Sequence, residues 1–133
     1  MSWCARLCLV VAGLCGATAV ALAAYAAHGL VDAGPYVTDL MDKATRYQML
    51  HALALLGIAA LHDMAGGSLL LRLAAALMAA GVVLFCGALY AIALADWPWA
   101  GAAPFGGMAF VLGWLCVSLS VFRLGTKKET AAQ

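Results

Sequence analysis

The sequence predicts an all-α membrane protein: four transmembrane helices in an up-down bundle, with a short amphipathic interfacial helix between the first and second. Three observations predict it. Hydrophobic residues make up 67% of the 133-residue chain and charged residues only 10%. A soluble domain carries about 25% charged residues, so this chain cannot cover a water-facing surface. Four stretches approach or exceed the roughly 20 apolar residues that cross a hydrocarbon core as a helix, and clusters of glycine and proline separate them. Backbone groups in lipid must be satisfied internally, which makes helices, not open strands, the spanning elements.

The spans fall at about 3–27, 44–61, 69–95 and 104–123 of one domain covering 1–133, with a tail at 124–133. The first resembles a signal peptide, with Arg6 ahead of an apolar run. That run continues from Leu7 to Ala27, beyond the about 7–15 residues of a signal h-region. Leu14, not a small residue, precedes Cys15, so no lipoprotein signal is formed and a retained helix is expected. Gly34-Pro35 breaks the first connection, Gly66-Gly67-Ser68 the second, and the stretch from Trp97-Pro98-Trp99 to Pro104 the third. Between Tyr36 and Tyr47 the residues Val37, Leu40, Met41, Ala44 and Tyr47 recur at helical spacing, with Asp39, Asp42, Lys43 and Arg46 on the other face. Asp39 with Lys43 and Asp42 with Arg46 form acid-before-base i,i+4 pairs, as in a helix lying at the membrane surface. Rows of small residues, Gly13/Ala17/Ala21, Gly87/Ala91/Ala95 and Ala109/Gly113, favour close helix packing.

Lysine and arginine placement sets orientation. Arg6, Arg72, Arg123, Lys127 and Lys128 lie on one side, Lys43 and Arg46 on the other, which puts both termini in the cytoplasm. Trp3 at one interface, with Arg46, Trp97 and Trp99 at the other, are the expected anchors. A net charge of +1 gives no basic footprint for nucleic acid. The five cysteines lack CxxC or Cys/His zinc spacing and, Cys4 aside, sit in apolar runs as small hydrophobes.

Several stretches carry a resemblance. Ala23-Ala24-Tyr25-Ala26-Ala27-His28-Gly29-Leu30 is similar to a GAFGAHGL signature, and Arg46-Tyr47-Gln48-Met49-Leu50-His51-Ala52-Leu53-Ala54 to an RYQxxHALA segment. Val83-Leu84-Phe85-Cys86-Gly87-Ala88-Leu89-Tyr90 resembles VLFSGSLY, and Ala103-Pro104-Phe105-Gly106-Gly107 resembles TPIGG, with Gly113-Trp114 following. Together, one motif per span and in order, these resemble domain of unknown function 423, the YgdD-like small inner-membrane proteins with eukaryotic relatives called transmembrane protein 256. The resemblance implies a four-helix protein of a bacterial inner membrane and supplies no reaction. Cys86, Ala88 and Ala103 stand where that family has hydroxyls, which puts ligand contacts through them in doubt.

Polar groups inside the spans gather toward the outer end: Tyr25 and His28 on the first helix, Tyr47, Gln48 and His51 on the second, Tyr90 and Asp96 on the third. Thr18, Ser118 and Ser120 are assigned to the cytoplasmic half. His28, Tyr47, Gln48, His51 and Tyr90 form the candidate polar site. Two roles fit it. The groups can hydrogen-bond one another and backbone carbonyls to fix helix register, or they can line a pocket for a quinone headgroup, lipid headgroup, metal or haem. Zinc needs four ligands and two histidines supply two, with Asp96 as a conceivable third, so no metal site is assigned; bis-histidine haem between His28 and His51 needs matched depth and a wide gap, and the cofactor stays unknown. His62 reads as a solvated loop residue. No nucleophile–histidine pair at helical spacing and no intramembrane carboxylate relay is present, so the expectation is a non-enzymatic accessory or lipid-organising protein, in contact with the lipid bilayer and with a larger membrane complex or its own copies. The alternatives are cofactor or lipid binding, and small-solute transport as an oligomer.

Overall fold

The computed structural model describes residues 1–97 and 100–130, with side chains as far as Phe122. Trp99, one of the expected anchors, lies outside the described residues. Among the described residues the chain forms four long helices and no strand: α1 (Trp3–Gly29), α2 (Pro35–Met64), α3 (Leu69–Ala95) and α4 (Ala103–Thr130). Short connections make successive helices antiparallel neighbours. α1 packs on α2, α2 on α3, and α3 on α4. Three helices are long and apolar enough to cross a membrane, over Trp3–Gly29, Leu69–Ala95 and Ala100–Phe122. α2 has the length, but Asp39, Asp42, Lys43 and Arg46 in its first half and His62 and Asp63 at its end dilute its apolar character.

Each end has a local cause. Ser2 caps α1, its hydroxyl accepting from the Ala5 N–H at 3.2 Å. Gly34 at φ 85 turns the chain, and Pro35 opens α2 with a ring already set for a helix. Gly66 and Gly67, at φ 64 and 98, close the α2–α3 connection. At the end of α3, Asp96 adopts the left-handed conformation at φ 50, which Asp tolerates better than most residues. A 3-10 turn at Ala100–Ala102 leads into α4.

The amphipathic segment and the second expected span form one unbroken helix, α2 from Pro35 to Met64, of which the segment is the first three turns. No glycine or proline stands between Tyr36 and Leu56, and the expected ion pairs form within one helix, Lys43 to Asp39 at 2.6 Å and Arg46 to Asp42 at 3.1 Å. Hydrogen bonding to Asp39 raises the Lys43 ammonium above its ordinary pKa. α4 continues as helix through most of the expected tail, to Thr130, across Lys127-Lys128-Glu129, all good helix formers.

The small-residue rows divide. Gly13, Ala17 and Ala21 point away from the neighbouring helices, and α1 instead buries Ala5, Cys8, Ala12 and Ala19. A methyl at Gly87 would meet nothing within 4 Å. The close approach lies between α3 and α4. A Cβ on Gly81 would come within 2.4 Å of the Phe110 ring, one on Gly106 within 2.4 Å of the Phe85 backbone nitrogen, and one on Gly113 within 3.2 Å of Met78. A π-helical segment, Val82–Cys86, interrupts α3 at this seam. Beyond the seam, large apolar side chains such as Leu14, Val20, Leu53, Val83 and Met108 are exposed on the helix surfaces, the pattern of a surface facing lipid.

Gly106→Ala and its neighbour Gly107→Ala separate packing from propensity. The first drives a methyl into backbone and should destabilise by about 1–3 kcal/mol; the second meets open space and should stabilise by about 0.5–1 kcal/mol through helix propensity. Reversible unfolding of both variants in detergent measures the difference.

Candidate functional site

The expected polar patch becomes two groups on different sides of α2. Gln48 belongs to the first. It is 5% exposed, and its amide nitrogen donates across the interface to the Cys15 carbonyl at 2.8 Å and to the Thr18 hydroxyl at 2.6 Å, both on α1. Its amide oxygen accepts from the Tyr90 hydroxyl of α3 at 2.8 Å. Thr18 in turn donates to the Leu14 carbonyl at 2.7 Å, so its hydroxyl both gives and receives. Three helices therefore meet at one amide. Every hydrogen of the Gln48 nitrogen has an acceptor, and the oxygen has a donor.

The second group surrounds His51, which is 2% exposed. Its Nδ1 sits 2.7 Å from the Tyr47 carbonyl oxygen one turn earlier. Its ring stacks on Phe110 of α4 at 3.5 Å between centroids. Tyr47 lies parallel at 6.1 Å and Trp114 tilted at 6.2 Å. Phe85 of the π segment completes the group, 4.9 Å from Tyr47 and 5.9 Å from Phe110. Here α2 and α4 meet through rings, while the glycine contacts between α3 and α4 hold Phe85 and Phe110 in place.

Of the five predicted site residues, Gln48 and Tyr90 are bonded and Tyr47 and His51 share the aromatic group. His28 joins neither: it is exposed in the last turn of α1. The physical reason is depth. Thr18, the α1 residue level with Gln48, precedes His28 by ten positions, or about 15 Å along a helix at 1.5 Å per residue. The His28 and His51 rings do not face one gap, so the bis-histidine arrangement is not formed. Thr18, assigned to the cytoplasmic half, instead faces Gln48. Trp3, Arg46 and Trp97, the other expected anchors, are all exposed.

Sequence reasoning missed a junction at the opposite end. His62 is not a solvated loop residue: it lies in the last turn of α2 and is 5% exposed. Its Nδ1 is 3.2 Å from the Ser2 hydroxyl, and the Ser2 backbone N–H donates to Asp63 at 2.9 Å. The Ser2 capping signal was readable; its pairing with His62-Asp63 needed the antiparallel register of α1 and α2. That N–H holds the Asp63 carboxyl below its ordinary value of 3.8.

Two expected outcomes follow from these geometries. Gln48→Leu keeps the bulk but leaves the Cys15 carbonyl and Tyr90 hydroxyl without their partner, and interhelical hydrogen bonds in membranes contribute about 0.6–2 kcal/mol each. It should destabilise more than Tyr90→Phe, and the double variant should fall short of the sum because both remove one shared bond; unfolding in detergent reads the cycle. At the junction, a depressed carboxyl pKa stabilises above the unfolded value and the contribution disappears as pH falls through the folded one. The protection of the Ala5 and Arg6 amides, their exchange corrected for its intrinsic slowing in acid, should therefore fall on acidification through the carboxylate range, and Asp63→Asn should abolish that step.

No solved structure matches the chain. Its sequence relatives are informative. Residues 22–107 match the family described as "Protein of unknown function (DUF423)", a segment that holds Gln48, His51, Tyr90 and the glycine seam as far as Gly107. A UPF0382 membrane protein of Staphylococcus haemolyticus is 35% identical over 121 residues, covering 89% of this chain and 97% of the relative. The UPF0382 membrane protein YwdK of Bacillus subtilis is 36% identical over 107 residues, covering 79% and 87%. The UPF0382 inner membrane protein YgdD of Escherichia coli K12 is 35% identical over 129 residues, covering 92% and 94%. With a family match over most of its length and relatives aligned nearly end to end, the chain belongs to the DUF423 family.

Proposed function

We propose that this chain is an integral protein of a bacterial inner membrane in which all four helices cross the bilayer, and that it acts as a non-enzymatic accessory or structural component of a larger membrane assembly. The single observation that carries the reading is the pairing of Gln48: the most polar uncharged group in the helices is fully engaged in joining α1, α2 and α3. A polar group that bonds helix to helix fixes a scaffold and leaves little of itself for substrate. α2 enters the bilayer in this reading because its neighbours are apolar spans and its mid-helix polar side chains point toward them. Both termini lie in the cytoplasm, by the excess of Arg6, Arg72, Arg123, Lys127 and Lys128 over Lys43 and Arg46, and the first turns of α2 lie at the outer interface. Relatives named as membrane proteins, among them an inner membrane protein, support the location in an inner membrane. The exposed apolar faces of α3 and α4, with Val83, Phe105 and Met108, are available to lipid and to a partner span.

The reading predicts that the tagged full-length chain, extracted in mild detergent from its native membrane, co-purifies stoichiometrically with another membrane complex. Recovery only as a free monomer or homo-oligomer, under conditions in which other inner-membrane complexes stay intact, would sink it.

A further inference from the structure

A neutral imidazole carries one N–H and one lone pair. At His51 the assignment follows from its partner: the Tyr47 carbonyl oxygen only accepts, so Nδ1, 2.7 Å away, holds the hydrogen. Nε2 therefore presents the lone pair, and it is buried with no partner. A buried acceptor left bare carries its full desolvation penalty, and the large majority of buried side-chain polar atoms are paired. The Gln48 amide in the preceding turn has its needs met; His62 Nε2, at the far end of α2, is also without a partner but lies at the Ser2 junction, away from the aromatic group.

The surroundings of His51 restrict what could pair with its Nε2. Phe110, Tyr47 and Trp114 present rings to the imidazole. Water in a protein interior makes about three hydrogen bonds, and the aromatic carbon stacked on this imidazole supplies none, so water is a poor occupant. Tyr47 and Trp114 are 46% and 43% exposed, which places lipid, not another helix, on one side of the group. On the other side the seam is stiff, with Phe110 against Gly81 and Phe85 against Gly106. The movable walls are thus the two half-exposed rings, and Phe85 of the π segment, a feature frequent at functional sites, belongs with Phe110 to the fixed wall.

We propose that His51 Nε2 accepts a hydrogen bond from the hydroxyl of a membrane-dissolved phenol, such as an alkylphenol or hydroquinone, entering from the lipid between Tyr47 and Trp114. A phenol brings one uncharged O–H donor for the one bare acceptor. Its ring gains stacking on the aromatic side chains, and its apolar tail stays in the bilayer. An aliphatic alcohol supplies the donor without the stacking. The inference concerns binding, with no proton or electron transfer, and it stands whether or not the chain belongs to a larger assembly.

The test uses the full chain, labelled with nitrogen-15 histidine, in phospholipid bilayers, observed by solid-state NMR. The unprotonated Nε2 line of His51 is assigned by its loss in His51→Phe. Should that variant fail to insert, His28→Gln and His62→Gln assign it by elimination. Titration with para-decylphenol should move this line saturably toward the hydrogen-bonded position, while para-decylanisole, which lacks the donor, and decanol, which lacks the ring, should each need at least tenfold more. Three results would overturn the proposal: no movement with the phenol, equal movement with the ether or with decanol, or a line already at the hydrogen-bonded position in bare bilayers and unchanged on addition.

Discussion

The structure depends on one amide. Gln48 in the middle of α2 is buried among helices, so it must find protein partners or cost several kcal/mol. It finds them on α1 through the Cys15 carbonyl and Thr18 hydroxyl, and on α3 through Tyr90. Neither neighbour can slide along α2 by one turn without leaving an amide hydrogen, a carbonyl or a phenol unmet. Apolar contact between helices is permissive, because lipid tails solvate alanine and leucine as well as another helix does. The amide is selective, and it converts a set of interchangeable apolar rods into one register. With α1 and α3 fixed on α2, the position of Tyr47 and His51 one side-step around the helix follows, and so does the site of α4.

The third interface is governed by steric fit. Gly81 of α3 receives Phe110 of α4, and Gly106 of α4 receives the Phe85 backbone of α3. This reciprocal arrangement needs α3 to offer a glycine and then a phenylalanine at the proper angle, and the π segment between them supplies the extra rotation. A π turn gives up regular i→i+4 bonding and is kept where packing depends on it. Its consequence reaches α2, since both phenylalanines touch the Tyr47–His51 pair.

Much of the fold was legible because the signals that mark helix ends are local. Gly34-Pro35 and Gly66-Gly67 act within a turn or two and fall where the chain reverses. Helix faces were less legible. In a soluble protein, hydrophobicity distinguishes the buried stripe; here both faces of α1 are apolar, and the row Gly13/Ala17/Ala21 is as plausible in sequence as Ala5/Cys8/Ala12/Ala19, the one that is buried. Only a polar residue betrays direction, and even Gln48 does so incompletely, because one of its partners on α1 is a backbone carbonyl that no residue identity announces. The same lack of registration misplaced Thr18 and made His28 a member of a group it stands about 15 Å away from along the helix.

The two polar groups also differ in completeness, and the difference is what assigns them different roles. Around Gln48, donors and acceptors close on one another, so nothing remains that a ligand could satisfy without breaking a helix contact. His51 is equally buried, stacked on Phe110, yet its second nitrogen has no partner. If register alone had been at stake, the stack on Phe110 could be supplied by phenylalanine at position 51, which keeps a ring and removes the bare acceptor. A histidine placed there adds two things phenylalanine lacks: a donor to the Tyr47 carbonyl, and on the opposite nitrogen a lone pair that this bond orients. An acceptor held in that state within hydrocarbon has meaning only in relation to a donor that arrives through the lipid.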